Sequence, residues 1–271
     1  MSQPAVQAPE SLHNVDAYRR GWWMGLAVLT IFAALSGWAI WYVELLDPVR
    51  WRKAVPALLD VAYRMYPPDR EYWRSWIKPL YQTLSMCTAG TALAVVASVP
   101  LSFLAAKNSS PHPVIYYLTR VLLNIMRGVP DLIAAIMLVA ALGAGPLAGT
   151  LALAFHSTGV LAKFFAEIIE HTDTSTIEAV RATGAGPLQV LYHGYLALAF
   201  PQFADASVYR WECNFRNSFM MGLVGAGGIG FTLYSAFTIL AYHEMLALLI
   251  LVLALVTLVD FLGAIVRQSV K

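Results

Sequence analysis

Long runs without charged residues alternate with short polar segments along this chain. Trp22–Val43 and Pro79–Ala106 contain no Asp, Glu, Lys or Arg, and each reaches the length of about 20 residues that a helix needs to cross a bilayer. Aromatic rings lie at both ends of the first run, where they anchor a helix in the two interfaces. Met245–Ile265 is a third long apolar run. These runs predict membrane-spanning helices.

Three further spans are predicted where polar residues interrupt the apolar pattern. The segment from Val114 to Leu142 is long enough to cross only if Arg127 and Asp131 lie within it, four positions apart, with a bend at Pro130. The turn 143–146 separates it from the next span. In total we expect about six spans, at 22–43, 79–106, 114–142, 147–170, 190–211 and 245–265.

The uncharged segment from Asn217 to His243 is broken by glycines and is predicted to be a gate that enters and leaves on one membrane face. Its glycines spell G-x-G-x-x-G, the dinucleotide-binding pattern, but no βαβ unit surrounds them. A tight turn with close helix packing is the better interpretation. The predicted gate residues are Gly225, Gly227, Gly228 and Gly230.

Composition supports the membrane interpretation and excludes several classes of function. Hydrophobic residues make up 59% of the 271 residues, charged residues 13%, and the mean hydropathy is +0.62, which is typical of an all-α integral membrane protein. A net charge of +2 gives no support for nucleic-acid binding. Cys87 and Cys213 lie in or beside apolar runs and predict neither a disulfide nor a metal site.

The polar segments complete a map of the chain. Residues 44–78 mix charged and aromatic residues around Pro67-Pro68 and predict an interfacial segment of two short helices broken at the prolines. The predicted parts are a tail at 1–21, a first transmembrane helix at 22–43, an interfacial segment at 44–78, a helical core at 79–267 with a polar loop at 171–189, and a tail at 268–271.

One polar segment has a definite local pattern. Residues from Glu178 to Ala182 favour a helix, Ser175 or Thr176 can cap its start, and Gly184 can end it with a positive φ. The same pattern also fits an ordinary amphipathic helix with a glycine cap. A membrane protein that places such a helix in a loop presents it to a partner in the aqueous phase.

This pattern resembles the EAA loop of ABC importer permeases, whose coupling helix docks into a cleft of the ATPase subunit. The coupling residues implied by the resemblance are Glu178, Ala179, Val180 in the third position, Arg181 and Gly184. The family's later Leu-Pro pair falls on Leu196 and Ala197, and Pro201 follows one helical turn later.

Four longer runs extend the resemblance to the permease subunits of phosphonate importers, which include phosphite and related systems. They are His156–Lys163, Arg181–Ala185, Tyr209–Arg216 and Gly225–Gly230. The resemblance implies a dimeric all-helical permease in the bacterial inner membrane, a pair of ATPase subunits that bind ATP and Mg²⁺, an extracytoplasmic binding protein and surrounding lipid. It implies import of a phosphorus oxyanion.

Orientation follows from the coupling loop. Lys and Arg do not decide it alone, because residues 44–78 carry seven basic against five acidic residues. A coupling loop must face the ATPase, which places both termini in the cytoplasm. No P-loop or hydrolase motif is present, so we expect no enzyme activity in this chain.

Ionisable residues within the predicted spans are candidates for a substrate path, since such groups face a cavity or a partner. The candidates are Arg127, His156, Arg210 and Arg216. Internal pairing is the alternative, with Arg127 bound to Asp131, Lys163 to Glu167, and Arg210 or Arg216 to Glu212. His156 also fits a histidine that only contacts a neighbouring helix. At the level of function, a permease for another small solute and an ion-coupled carrier or scaffold without an ATPase remain alternatives.

Overall fold

The computed structural model describes residues 11–69 and 71–270, without the side chains of residues 11–17, 20 and 270. Helices account for most of this part of the chain, and it contains no strand. The prediction of an all-α protein is confirmed. The predicted tails fall partly outside the described residues, at 1–10 and 271.

Eleven α-helices and one π-helical segment follow one another in the described part of the chain. They are α1 (Ser11–Tyr42), α2 (Pro48–Met65), α3 (Trp73–Ala105), α4 (Pro113–Gly128), α5 (Asp131–Leu142), α6 (Pro146–Glu170), α7 (Thr174–Ala182), α8 (Pro187–Gln189), the π-helix (Val190–Leu196), α9 (Ala197–Leu223), α10 (Gly228–Thr238) and α11 (Tyr242–Val270).

Four of the described helices, α1, α3, α6 and α11, are long and apolar enough to cross a membrane. Two broken pairs bring the number to six when each pair is counted as one span. The axes of α4 and α5 are inclined at 84°, and those of Pro187–Leu223 and α10 at 41°. The expectation of about six spans is therefore met, with two of them interrupted.

Helix boundaries differ from the expectation in the segment 44–78. α2 forms before the Pro67-Pro68 pair, but no second short helix follows it, because α3 begins at Trp73 and runs without interruption through Pro79. The hydroxyl of Thr83 donates to the Pro79 carbonyl at 3.0 Å.

The chain forms two compact units, of which the first ends at Ala62 and the second begins at Tyr63. In the first unit, Trp38 stacks on Tyr42, the indole of Trp51 donates to the Leu45 carbonyl at 2.7 Å, and Arg50 pairs with Glu44. The second unit contains all the candidate sites described below.

Helix α6 is the centre of the second unit, and α3, α4, α5 and α9 pack around it. Small residues let the backbones approach. A Cβ atom on Gly90 of α3 would lie 3.1 Å from the Thr150 carbonyl oxygen, and one on Gly159 would lie 2.8 Å from the Arg127 nitrogen. Close approach through small residues is the usual way helices pack within a membrane.

Candidate functional site

Helix α7 is the element predicted to couple to an ATPase. Its start is capped by Asp173, whose carboxylate accepts from the backbone N–H of Ser175 at 2.9 Å and from the Ser175 hydroxyl at 2.8 Å. The expected caps, Ser175 and Thr176, lie inside the helix instead. These two hydrogen bonds favour the ionised form and lower the pKa of Asp173 below its usual value, with the backbone N–H contributing most.

The end of α7 matches the predicted glycine turn. Gly184 has a φ of +82°, and its N–H donates to the Arg181 carbonyl at 3.0 Å. Positive φ is strained for residues with a side chain but open to glycine. The next turn is tied by the Gln189 side chain, which accepts from the Gly186 N–H at 2.8 Å.

Two faces of α7 have different environments. Ile177 is buried, and Val180, three positions later, is half-buried and packs against the same core cluster. Glu178, Ala179 and Arg181 are exposed. The structure therefore places Val180 on the face that holds α7 to the rest of the unit, whereas the other four predicted coupling residues, Gly184 included, are open to a partner.

The π-helix packs against α7 and supports it. A Cβ atom on Gly194 would lie 3.0 Å from Cδ1 of Ile177, and the hydroxyl of Tyr195 donates to the Asn108 carbonyl at 3.3 Å. π-helical turns are rare and often lie at functional sites. Sequence reasoning missed this segment, because residues 190–196 carry no local signal that separates a π-helix from an α-helix.

The predicted gate contains a tight turn between α9 and α10. Gly225, Gly227 and Gly228 have φ values of +88°, +82° and +75°. The first N–H groups of α10 are satisfied by α3, since the Gly228 N–H donates to the Gln82 side chain at 3.2 Å and the Ile229 N–H to the Thr83 hydroxyl at 2.9 Å. The turn is thereby fixed to the core.

Beyond the turn, α10 packs against the end of α9. A Cβ atom on Gly222 would lie 2.3 Å from the Phe231 nitrogen, and one on Gly230 would lie 2.1 Å from the Phe219 carbonyl oxygen. Residues nine and eleven apart in one continuous helix would be separated by about 14 and 16 Å. The chain therefore folds back at the glycines, in agreement with the predicted turn and close packing.

A chain of buried hydrogen bonds surrounds Arg210. Its Nε donates to Oγ of Ser157 at 2.9 Å, that hydroxyl donates to Oδ1 of Asn214 at 2.9 Å, and the Asn214 amide donates to Oγ1 of Thr91 at 2.9 Å. The Nη2 atom of Arg210 is buried and has no partner. No carboxylate of the described residues pairs with this guanidinium.

The break between α4 and α5 lies next to this network. The alternative in which Asp131 pairs with Arg127 is wrong, because Asp131 accepts from the Asn217 amide at 2.7 Å. The 84° inclination of the two helices explains this, because residues four apart share a face only in a continuous helix. Nδ1 of His156 lies 3.2 Å from the Val129 carbonyl, so this histidine contacts the break.

A second set of charges joins α9 to α11. Arg216 pairs with Asp260 at 3.1 Å, and Arg267 pairs with Glu212 at 3.2 Å. The hypothesis that Glu212 binds Arg210 or Arg216 is wrong, because Glu212 points to α11 and packs beside Gly263. The expected pair of Lys163 with Glu167 is also absent from the described ion pairs.

The structure brings three of the four substrate-path candidates to one turn of α6. His156 belongs to that turn, Arg210 bonds its Ser157, and the backbone of Arg127 packs on its Gly159, whereas Arg216 faces α11. Sequence reasoning missed Asn214 and Asn217, although their spacing from Arg210 marks one polar face of a helix. The described residues contain no group of three metal-binding side chains.

Comparison with known proteins adds independent information. Residues 98–271 match the family model "Binding-protein-dependent transport system inner membrane component". The phosphite transport system permease protein PtxC of Stutzerimonas stutzeri is 48% identical over 267 residues, which cover 98% of this chain and 97% of that protein. The phosphate-import permease protein PhnE of Mycolicibacterium smegmatis is 38% identical over 86% of this chain and 43% of its own length.

A solved structure supports the fold. The inward-facing methionine ABC transporter MetNI has a chain that superposes with a TM-score of 0.67 at 23% identity, over 75% of this chain and 99% of its own. At this identity the likeness concerns the fold alone. The family match, by contrast, extends over most of the second unit, including α6, α7 and α9. The chain therefore belongs to the family of inner membrane components of binding-protein-dependent transport systems.

Proposed function

We propose that this permease imports a phosphorus oxyanion such as phosphite, a phosphonate or phosphate. The observation that carries the proposal is the 48% identity, from end to end, with a phosphite transport permease. The permease chain is not an enzyme, and ATP is hydrolysed by a separate subunit. The partners in this proposal are an ATPase dimer with its ATP and Mg²⁺, a second permease subunit, an extracytoplasmic binding protein and lipid. Both termini face the cytoplasm.

Arg210 is the substrate-contact residue in this proposal. A guanidinium group donates two parallel hydrogen bonds to a phosphorus oxyanion, and Nη2 of Arg210 has no protein partner to compete for it. The Ser157 hydroxyl orients the group through Nε. The network continues to Thr91, which lies near the middle of α3, as expected of a transport site near the bilayer midplane.

His156 and Arg127 complete the proposed path on the α6 side. His156 faces the break between α4 and α5, and the side chain of Arg127 is exposed near the same turn. Broken helices supply polar backbone groups at membrane depth, which is where transporters bind their substrates. Arg216 is a weaker candidate, because Asp260 already neutralises its charge.

The exposed face of α7 is the proposed ATPase contact. Glu178 supplies a charged anchor near the start of the helix, the small side chains of Ala179 and Ala182 allow close approach, and Gly184 turns the chain away. Leu188 adds an exposed apolar side chain a few residues later. Ile177 and Val180 transmit movement from this face to the core against which they pack.

The glycine turn between α9 and α10 is the proposed gate. Gln82 and Thr83 fix the start of α10, so opening requires α10 to move with α3 or to release these two hydrogen bonds. Gly222 and Gly230 leave no room for a side chain between α9 and α10. A gate of this kind moves as one packed hairpin.

The test is ATP hydrolysis by the permease reconstituted with its ATPase and binding protein. Stimulation by binding protein loaded with phosphite, methylphosphonate or phosphate is expected. Glu178→Ala is expected to abolish stimulation by removing the anchor, and Glu71→Ala, a matched change at an exposed site away from the loop, is expected to preserve it.

Two outcomes contradict the proposal in different ways. Stimulation by another class of solute, with none of the three anions active, identifies a permease for a different cargo. Equal activity in wild type and Glu178→Ala, or failure of any ATPase to associate, removes the coupling role of α7 and favours a carrier or scaffold.

A further inference from the structure

A small cavity lies between α4 and α6 at the end of the unit that carries the coupling loop. Its volume is about 50 Å³, and it is separate from the Arg210 network. Lys163 is seven residues, or about 10 Å, beyond His156 along α6. The lining residues are Ala105, Arg120, Leu123, Asn124, Lys163 and Ala166.

The charges around this cavity are not balanced. Lys163 forms no ion pair with any described residue, including Glu167 one turn away. Arg120 donates to Glu170 at 2.8 Å and to the Ala105 carbonyl at 3.0 Å. Because Glu170 is held by Arg120 and by the Lys107 N–H at 2.7 Å, it is not available to neutralise Lys163.

The cavity has the size and donors of an anion site. One water requires at least about 10–15 Å³ of such space, so a cavity of about 50 Å³ exceeds what a single water needs. Phosphite and phosphate are compact anions, with four and five non-hydrogen atoms. The amide of Asn124 makes no hydrogen bond to a described residue and adds a neutral donor beside the Lys163 ammonium.

We propose that this cavity binds a small tetrahedral oxyanion, phosphate or phosphite. Lys163 supplies the charge, Asn124 a hydrogen bond, and Arg120 a second cation that Glu170 holds in place. Ala105, Leu123 and Ala166 belong to the buried cluster that also contains Ile177 of α7. An anion bound here therefore lies against the packing that seats the coupling helix.

Two sources could supply this anion. If the cavity lies on the cytoplasmic side, it is reached either by the delivered cargo or by phosphate of the cytoplasm, and this placement rests on the proposed function. Anion binding to the cavity does not rest on the proposed function, because it depends only on the residues that line the cavity. The site can therefore be tested on the permease chain without ATPase or binding protein.

The experiment measures equilibrium binding of radiolabelled inorganic phosphate to the full chain in lipid nanodiscs. Wild type is expected to bind phosphate saturably. Lys163→Met is expected to lower the affinity for phosphate by at least about tenfold, because a charge-assisted hydrogen bond is lost. Lys78→Met, a matched change at an exposed lysine, is expected to bind as wild type. Lys163→Arg keeps the charge and is expected to retain binding within about threefold.

Competition separates the two sources when an anion other than phosphate stimulates ATP hydrolysis by the reconstituted complex. Displacement of phosphate by that anion at a lower concentration than by unlabelled phosphate indicates cargo, and the reverse indicates cytoplasmic phosphate. Absence of saturable binding to wild type, or unchanged binding by Lys163→Met, overturns the inference. Binding lost in Arg210→Gln but kept in Lys163→Met also overturns it and assigns the anion to the Arg210 site. If Lys163→Met does not fold, Asn124→Leu is measured in its place, with weaker binding expected and unchanged binding contradicting the site.

Discussion

Helix α9 carries two polar faces that are built in different ways. On the face towards α11, Glu212 pairs with Arg267 and Arg216 pairs with Asp260, so each charge meets an opposite one. On the face towards α3 and α6, Arg210 forms its hydrogen bond with the neutral hydroxyl of Ser157, which in turn bonds Asn214, and it has no ion pair with a described carboxylate. The paired face can hold two helices together without any ligand. On the unpaired face, the Arg210 guanidinium is available to bind an anion.

The difference follows from the cost of charge away from water. An isolated charge in an apolar region is unfavourable because it loses its hydration, and an opposite charge with good geometry offsets much of this desolvation free energy. Arg210 keeps its charge beside neutral hydrogen-bonding groups, which orient it without cancelling its field. We interpret the α11 face as structural and the α3–α6 face as the substrate side.

The largest expected loss of stability comes from breaking the Glu212–Arg267 ion pair on the paired face. Arg267→Ala removes the partner of Glu212, whose side chain is only 5% exposed. Unfolding free energy is expected to fall by about 3 kcal/mol, because a buried charge is left alone. Denaturation in detergent measures it. The double variant Glu212→Ala, Arg267→Ala is expected to recover part of the loss; equal or greater loss in the double variant contradicts the ion-pair explanation.

The next largest loss of stability is expected from a substitution at the centre of the unpaired face. Asn214 is fully buried and joins Ser157 to Thr91. Asn214→Leu keeps the volume but leaves both hydroxyls without this partner, which is expected to cost about 2 kcal/mol. Ser218→Ala is the control, since Ser218 bonds only within its own helix. Similar stability losses for the two variants would show that the cross-helix network contributes nothing special.

A transport measurement on Arg210→Lys tests the role assigned to the unpaired face. Arg210→Lys keeps the charge but loses the bond from Nε to Ser157 and the two-point fork. We expect transport of the phosphorus oxyanion to fall about tenfold, equivalent to about 1.4 kcal/mol, with little change in stability. The measurement is uptake into proteoliposomes together with thermal unfolding. Wild-type uptake by this variant would assign Arg210 a structural role.

The smallest effect is expected from the same substitution six residues along the helix. Arg216→Lys leaves a cation that can still reach Asp260, so the charge on this face remains matched. Uptake within about twofold of wild type and a stability change below about 1 kcal/mol are expected. A loss as large as that of Arg210→Lys would remove the distinction between the two faces of α9.

Much of the fold could be predicted because apolar length and helix signals are local. The runs 22–43 and 245–265 predicted spans that the structure contains, and Gly184 predicted a turn with positive φ. The glycines at 225, 227 and 228 predicted a turn for the same reason. Each of these features is decided by a few neighbouring residues and by the exclusion of water from the bilayer.

Partners between helices could not be predicted in this way. Arg127 and Asp131, or Lys163 and Glu167, are suitably spaced to pair, yet neither pair forms among the described residues. Asp131 finds Asn217, 86 positions away, and Glu212 finds Arg267, 55 positions away. Sequence spacing gives the face of a residue, but the packing of a neighbouring helix decides which group it meets.

The sequence by itself determined an all-α membrane protein, its spans, its glycine turns and the exposed loop with a short helix over Glu178–Ala182. Only the tertiary structure decided that Val180 faces inward, that residues 190–196 form a π-helix under α7, and that Lys163 and Arg120 share a cavity. The first set depends on local backbone preference and transfer from water to lipid. The second depends on contacts between residues distant in the chain, which exist only after the helices have packed.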